Sequence, residues 1–398
     1  MPAVNPNILR WARETAGFDL ATASRKLSLS ESKGSSAEDK LRSYEVGERT
    51  PSRSLLLKMS KQYRRPLLAF YLHEPPKTGS RGEDFRTLSH SVDPSQEALV
   101  DALIRNVKAR QEIVKDSLVS SQEREPIEFI GTYRIDQGTQ GLVERVRDSL
   151  NLDLGDYRKR QTQEEAFKYL RDLVERLGVF TLLLGNLGSY HTNLSTEVFR
   201  GFALSDNIAP FIVVNDQDAK SAWSVTLLHE LVHLWLGTSG ISGARSERAV
   251  EKFCDQVASE LLLPETELTS QFRFSSLSTR EGAIKAIDSF AAERKVSSRF
   301  IAFRLLQINA INQTQFDDFG IYFFKRWNDE RNKQKIKARA AEGGPSYYLL
   351  KRHQVGAALL ETSERLLRSG ELSTTRAATV LGVRALKIEK MFNENNPE

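Results

Sequence analysis

His229 and His233 stand four residues apart with Glu230 between them, inside an apolar stretch, 222–236, that contains neither Gly nor Pro. Such a stretch is expected to be helical, and residues four apart on a helix share a face. Two imidazoles on one face can close on one zinc ion. Glu230 beside them is placed to take a proton from an attacking water. Two histidines at this spacing also occur as partly buried core residues, so their surroundings carry the decision.

A catalytic zinc takes three protein ligands and keeps one position open. The segment 237–243 holds Gly237, Gly240 and Gly243, which suits a chain reversal. Beyond it, 246–263 reads as a second helix ended by Pro264. Glu247, Glu251 and Asp255 lie four apart on one stripe of that helix. A solvated face would give the same stripe, but Val250, Phe253, Cys254, Val257, Ala258, Leu261 and Leu262 make the helix otherwise mostly apolar. Spacing alone leaves the choice among the three acids open.

The run His229-Glu230-Leu231-Val232-His233, followed by Glu251-Lys252-Phe253-Cys254-Asp255-Gln256-Val257-Ala258-Ser259-Glu260-Leu261-Leu262-Leu263-Pro264, resembles the ImmA/IrrE metallopeptidases. Their pattern is H-E-x-x-H, then E-x-x-A-N/D-x-F-A-x-E-L-L-M-P. Cys254 replaces the family's Ala and Val257 its Phe, both mild changes on the buried side. The resemblance implies that Glu251 is the third zinc ligand, that Asp255 orients one zinc histidine, and that Glu230 is the catalytic base.

The N-terminal residues resemble a second family. Helices are expected over 7–15, from Leu20 to Leu27 and over 54–63, with Tyr44-Glu45-Val46-Gly47 and Pro51 between the last two. This order is similar to the XRE (lambda-repressor-like) helix-turn-helix domain. Asn5-Pro6 and the residues after it look like the head of long proteins that join such a domain to the ImmA/IrrE peptidase. One departure is the stretch 28–40, which is polar, Ser-rich and longer than the usual pattern. A helix over 37–45 would display Lys40 and Arg42 to a DNA groove, or else form a protein-contact surface.

These readings give an α+β, mostly helical chain. Residues 1–72 form a helix-turn-helix bundle, and 73–95, rich in Pro, Gly, Ser and charge, form a linker or arm. Residues 96–270 are a zincin-like core, and 271–398 a helical C-terminal region. Helices are expected over 95–119, 141–150 and 163–177, and strands over 179–184, 198–204 and 211–214. Tyr190, His191 and Arg200 are candidates for substrate or oxyanion contacts, though Arg200 would serve equally in a structural ion pair. The patterns at 297–305 and 372–391 are repressor-like helical pairs for which packing is the simpler reading.

Charge and composition set limits. The net charge of +5 is unevenly spread: 1–66 hold 13 Lys/Arg against 7 Asp/Glu, and 331–352 hold 7 against 1. Basic ends on an acidic middle place any nucleic acid contact near the termini. One cysteine, Cys254, excludes an internal disulfide and fits a reducing cytoplasm. No apolar run approaches a membrane span, so no membrane partner is expected.

The resemblance implies a zinc-dependent endopeptidase whose protein substrate is a repressor or similar regulator. A different class competes: an antitoxin-like regulator that neutralises a PIN-like nuclease toxin and uses the peptidase fold mainly for binding.

Overall fold

The computed structural model describes residues 3–31, 34–76, 93–237, 244–340 and 346–393. They fall into two compact units, Met1–Asn106 with Asn186–Phe199, and Val107–Gly185 with Arg200–Glu398. Most of the expected linker or arm, residues 77–92, lies outside the described residues.

In the first unit, helices Pro6–Glu14 (α1), Leu20–Lys26 (α2), Ala37–Glu45 (α3) and Arg53–Tyr63 (α4) pack around a core that includes Ile8, Leu9, Leu41, Met59 and Phe70. Each start is set by a side-chain oxygen. Asn5, Asp19, Ser36 and Ser52 accept from the first backbone N–H groups of α1, α2, α3 and α4. At α3 the capping is reciprocal, with Asp39 reaching back to the Ser36 backbone. The polar stretch before α3 therefore supplies its start signal. Arg13 and Glu45 form a buried two-pronged ion pair at 2.7 and 2.9 Å that ties α1 to the end of α3. Gly47, at φ +85°, brings the following turn against Pro6, where a Cβ would stand 3.1 Å from its Cγ.

Pro94–Ser120 (α5) has residues in both units. The second unit continues with Thr139–Leu150 (α6), Leu154–Arg158 (α7) and Gln163–Arg176 (α8). Strands Phe180–Leu183 (β1), Gly201–Leu204 (β2) and Phe211–Val214 (β3) follow. After them come Lys220–Leu236 (α9), Ala244–Leu262 (α10), Glu265–Gln271 (α11), Arg280–Glu293 (α12), Ser298–Gln307 (α13) and Gln313–Ala340 (α14). The last helices are Tyr347–Val355 (α15), Ala357–Arg368 (α16), Thr374–Leu381 (α17) and Ile388–Asn393 (α18).

The sheet order is β1-β3-β2. The central β3 pairs in parallel with β1, Phe180 opposite Phe211, and antiparallel with β2, Gly201 opposite Val214. Every residue of β1 and β3 is buried, which accounts for their continuous apolar runs, whereas β2 at the edge alternates. All three strands fall within the segments expected from the sequence. Helices α8, α9, α10, α12 and α13 pack around one apolar cluster that reaches the sheet through Leu183, Ile212 and Val214.

Helices α15 and α16 join the same unit through a buried pair. Arg171 on α8 donates to Glu175 at 3.0 Å, to the carbonyl of His353 at 2.6 Å, and to the carbonyl of Thr181 on β1. Glu175 in turn accepts from the Ala358 backbone N–H at 3.0 Å, capping the start of α16. Gly356 is required between them, since at φ +87° a Cβ would meet the Glu175 carboxylate at 2.3 Å.

Candidate metal centre

Helix α9 is apolar because it is enclosed. Leu227, Leu228, Leu231, Val232 and Leu234 are fully buried, and the helix ends at Gly237 in the left-handed conformation. The segment before α6 closes that end. Gly131 and Tyr133 donate their backbone N–H groups to the carbonyls of Leu234 and Trp235, both at 3.0 Å, and Phe129 stacks on Trp235 with ring centroids 4.9 Å apart. The helix has little freedom to rotate, which fixes where its histidines stand.

His229 and His233 face α10, their Nε2 atoms 3.1 Å apart. The Glu251 carboxylate closes the triangle, 3.2 Å from His229 Nε2 and 3.3 Å from His233 Nε2. These three side chains can hold a metal ion, their candidate ligand atoms all lying within 4.8 Å of one another. Tetrahedral ligands at zinc distances stand about 3.3 Å from one another, so the observed edges fit. The donor set fits as well. Two imidazole nitrogens and a carboxylate converge, and some cation, a proton or a metal ion, must sit among them.

The proton alternative shows in the electrostatics. Burial disfavours the His229 imidazolium, but hydrogen bonds to Asp255 and Glu251 outweigh burial and hold its pKa well above the ordinary value. Burial likewise pushes Glu251 up, and the two histidines more than reverse it, leaving the carboxyl well below its usual range. Both directions favour positive charge on the His229 ring beside a Glu251 carboxylate.

Asp255, one turn beyond Glu251 on α10, accepts at 2.9 Å from the other ring nitrogen of His229, Nδ1, which fixes the ring so that Nε2 faces Glu251 and His233. Between Glu251 and Asp255, Glu251 is the acid that reaches the Nε2 atoms of both histidines. The side chain of Glu247 lies outside the described residues. Cys254 sits between Glu251 and Asp255 in sequence and is fully buried.

Glu230 is 7 % exposed. Its carboxylate lies over Gly201 of β2, where a Cβ would stand 2.8 Å from Oε1, 2.6 Å from Thr226 Cγ2 and 3.0 Å from the Val213 carbonyl. Gly201 is a residue that the sequence reading missed. The available signal was a glycine within a strand pattern, which marks a close approach.

The remaining candidates lie on other elements. Arg200 precedes β2, and its guanidinium lies 3.8 Å from the Asp218 carboxylate. Tyr190 and His191 lie in a short turn within the segment Asn186–Phe199, which belongs to the first unit. Arg42 is exposed on α3, while the Lys40 ammonium is hydrogen-bonded to the Ser30 carbonyl.

No helix among the described residues is long and apolar enough to cross a membrane. No curated protein and no solved structure matches the chain. Residues 175–306, from the end of α8 into α13 and including the whole metal centre, match the model of a peptidase family, the IrrE N-terminal-like domain (Peptidase_M78).

Proposed function

We propose that the chain is a zinc-dependent metalloendopeptidase that cleaves a repressor or another regulatory protein in the cytoplasm, with residues 1–72 contributing recognition as a helix-turn-helix domain. The observation that carries this reading is the convergence of His229, His233 and Glu251, with Glu230 on the same helix, inside a segment that matches a peptidase family. His229, His233 and Glu251 hold the metal, and Asp255 keeps the His229 ring in register. Zinc, when bound, supplies a Lewis acid that polarises the scissile carbonyl and makes water acidic enough to attack at neutral pH. Glu230 takes the proton of the attacking water and passes it to the leaving amine. The burial of Glu230 against Gly201 keeps that carboxylate in one place while the proton moves. Strand β2, at the sheet edge beside Glu230, is suited to align an extended peptide across the centre.

On this reading, residues 1–72 contact DNA through α3. Arg42 is the better placed of the two basic residues, because Lys40 is already hydrogen-bonded within the unit. The reading is tested by incubating purified protein and its Glu230→Gln variant with neighbouring gene products, with and without a chelator. Metal-dependent cleavage that the variant lacks supports the peptidase. Undiminished toxin neutralisation or promoter repression by Glu230→Gln would favour the antitoxin-like binding protein instead.

A further inference from the structure

Helices α12 and α14 are tied together at two rungs. Arg280 donates to both carboxylate oxygens of Asp318, at 2.6 and 3.0 Å. Further along, Arg326 donates to both oxygens of Asp288, at 2.5 and 2.8 Å. Each rung joins residues 38 positions apart, so the stretches 280–288 and 318–326 run alongside in one register. Ile284 and Tyr322 stand midway between the rungs on their own helices. The guanidinium groups of both rungs flank the Tyr322 ring, Arg280 at 5.5 Å and Arg326 at 5.6 Å from its centre. The rungs thus frame a cleft of about 710 Å³ whose lining includes Ile284, Tyr322, Glu281 and Lys285. Small-molecule sites run from roughly 300 to 1,000 Å³, so the cleft is large enough to hold one.

The charges in the cleft divide into two kinds. Those of Arg280 and Asp288 are committed to the rungs. Glu281 and Lys285 are exposed, one turn apart on α12, and among the described residues no ion pair joins them. Four residues of helix set their backbone positions about 6 Å apart along the axis. Two extended peptide residues span at most about 7 Å, whereas a single amino acid carries its ammonium and carboxylate on one carbon. We propose that the cleft between α12 and α14 binds a short peptide with both termini free, a dipeptide with apolar side chains. Its ammonium meets Glu281, its carboxylate meets Lys285, and a side chain lies on Ile284 and Tyr322. The order of acid and base along α12 admits the peptide in one direction only. The rungs hold the walls before the ligand arrives, so little ordering is left to oppose binding. Every lining residue belongs to α12 or α14 and none to the helices of the metal centre, so the test does not depend on the peptidase reading.

The experiment is calorimetric titration of the full-length protein with leucyl-leucine, its N-acetyl and C-amide derivatives, and leucine. Leucyl-leucine is expected to fill one saturable site. Acetylation or amidation should each weaken it about tenfold, the lower end for loss of a hydrogen bond to a charged group. Glu281→Gln should weaken leucyl-leucine to the same extent yet leave the N-acetyl derivative unaffected. Lys285→Gln should likewise weaken leucyl-leucine and leave the amide unaffected. That crossed pattern assigns each terminus to its partner. Both residues are exposed and lie off the rungs, so the two variants should melt with the parent. Absence of saturable binding, or unchanged affinity for leucyl-leucine in both variants, overturns the proposal. So does leucine, or a peptide blocked at both ends, binding as tightly as leucyl-leucine.

Discussion

The centre rests on three side chains whose individual removal has separable consequences. Purified protein is expected to carry about one zinc per chain, by the three-ligand requirement. His233→Ala and Glu251→Gln should each strip it, read by elemental analysis after dialysis. Retention of full occupancy by Glu251→Gln would show that another acid is the ligand. Glu230→Gln should keep the metal and the fold yet lower any cleavage by at least about a hundredfold, the lower end of what a general base contributes. The histidine pair and Glu230 were legible from spacing, since a helical period of 3.6 residues places them without further information. The third ligand was not. Glu247, Glu251 and Asp255 share one stripe of α10, and only the packing of α10 against α9 distinguishes the acid at the Nε2 atoms from the one at Nδ1.

Among the elements, two glycines set how closely the backbone approaches the centre. Gly201→Ala would place a Cβ within 3 Å of Thr226 and Glu230, so it should depress cleavage while leaving metal content intact, a combination that distinguishes a displaced base from a lost ligand. Gly237→Ala forces a left-handed residue to carry a side chain and drives it to 2.6 Å from the Gly131 Cα. It should destabilise the protein by more than the ~1–2 kcal/mol of the conformational penalty alone, measured by urea unfolding. Strands β1 and β3 were legible as short apolar runs, and α9 as a long one, because full burial removes the need for polar positions. The start of α3 was less so. The stretch before it reads as a break, yet Ser36-Ala37-Glu38-Asp39 carries the reciprocal cap that begins the helix. On the proposed reading, promoter DNA binding through α3 should fall steeply with salt and be weakened by Arg42→Ala, read by gel shift at two salt concentrations.

At the scale of the whole second unit, stability depends on charges buried between distant helices. Arg171 and Glu175 are each about 5 % exposed at the side chain, and burial shifts both toward their neutral forms, Arg171 down and Glu175 up. Glu175→Ala should therefore cost about 3–5 kcal/mol, because it leaves Arg171 buried without its counter-charge. Asp288 supplies a pH signature. Burial raises its pKa, but Arg326 and Ser298 outweigh burial and leave it below the ordinary aspartate value. Its contribution is then present above about pH 4, the unfolded value, and disappears as pH falls through the lower folded value. Asp288→Asn should lower stability at neutral pH, change little in strong acid, and so flatten that part of the acid-unfolding curve.

The Arg171 pair also carries a consequence for synthesis. The groups it joins are 182 and 183 positions apart in the chain, at His353 and Ala358. While a ribosome is still elongating through α9 and α10, α8 and β1 are already outside the tunnel, but the carbonyls and the helix start that satisfy Arg171 and Glu175 have not been made. The histidines and Glu251 emerge together, ahead of the helices that complete the sheet's surroundings. Metal capture by the nascent chain can thus precede final closure of the unit, and a ribosome stalled after residue 306 should present a chain that retains the complete family-matching segment yet remains more sensitive to proteolysis than the finished protein.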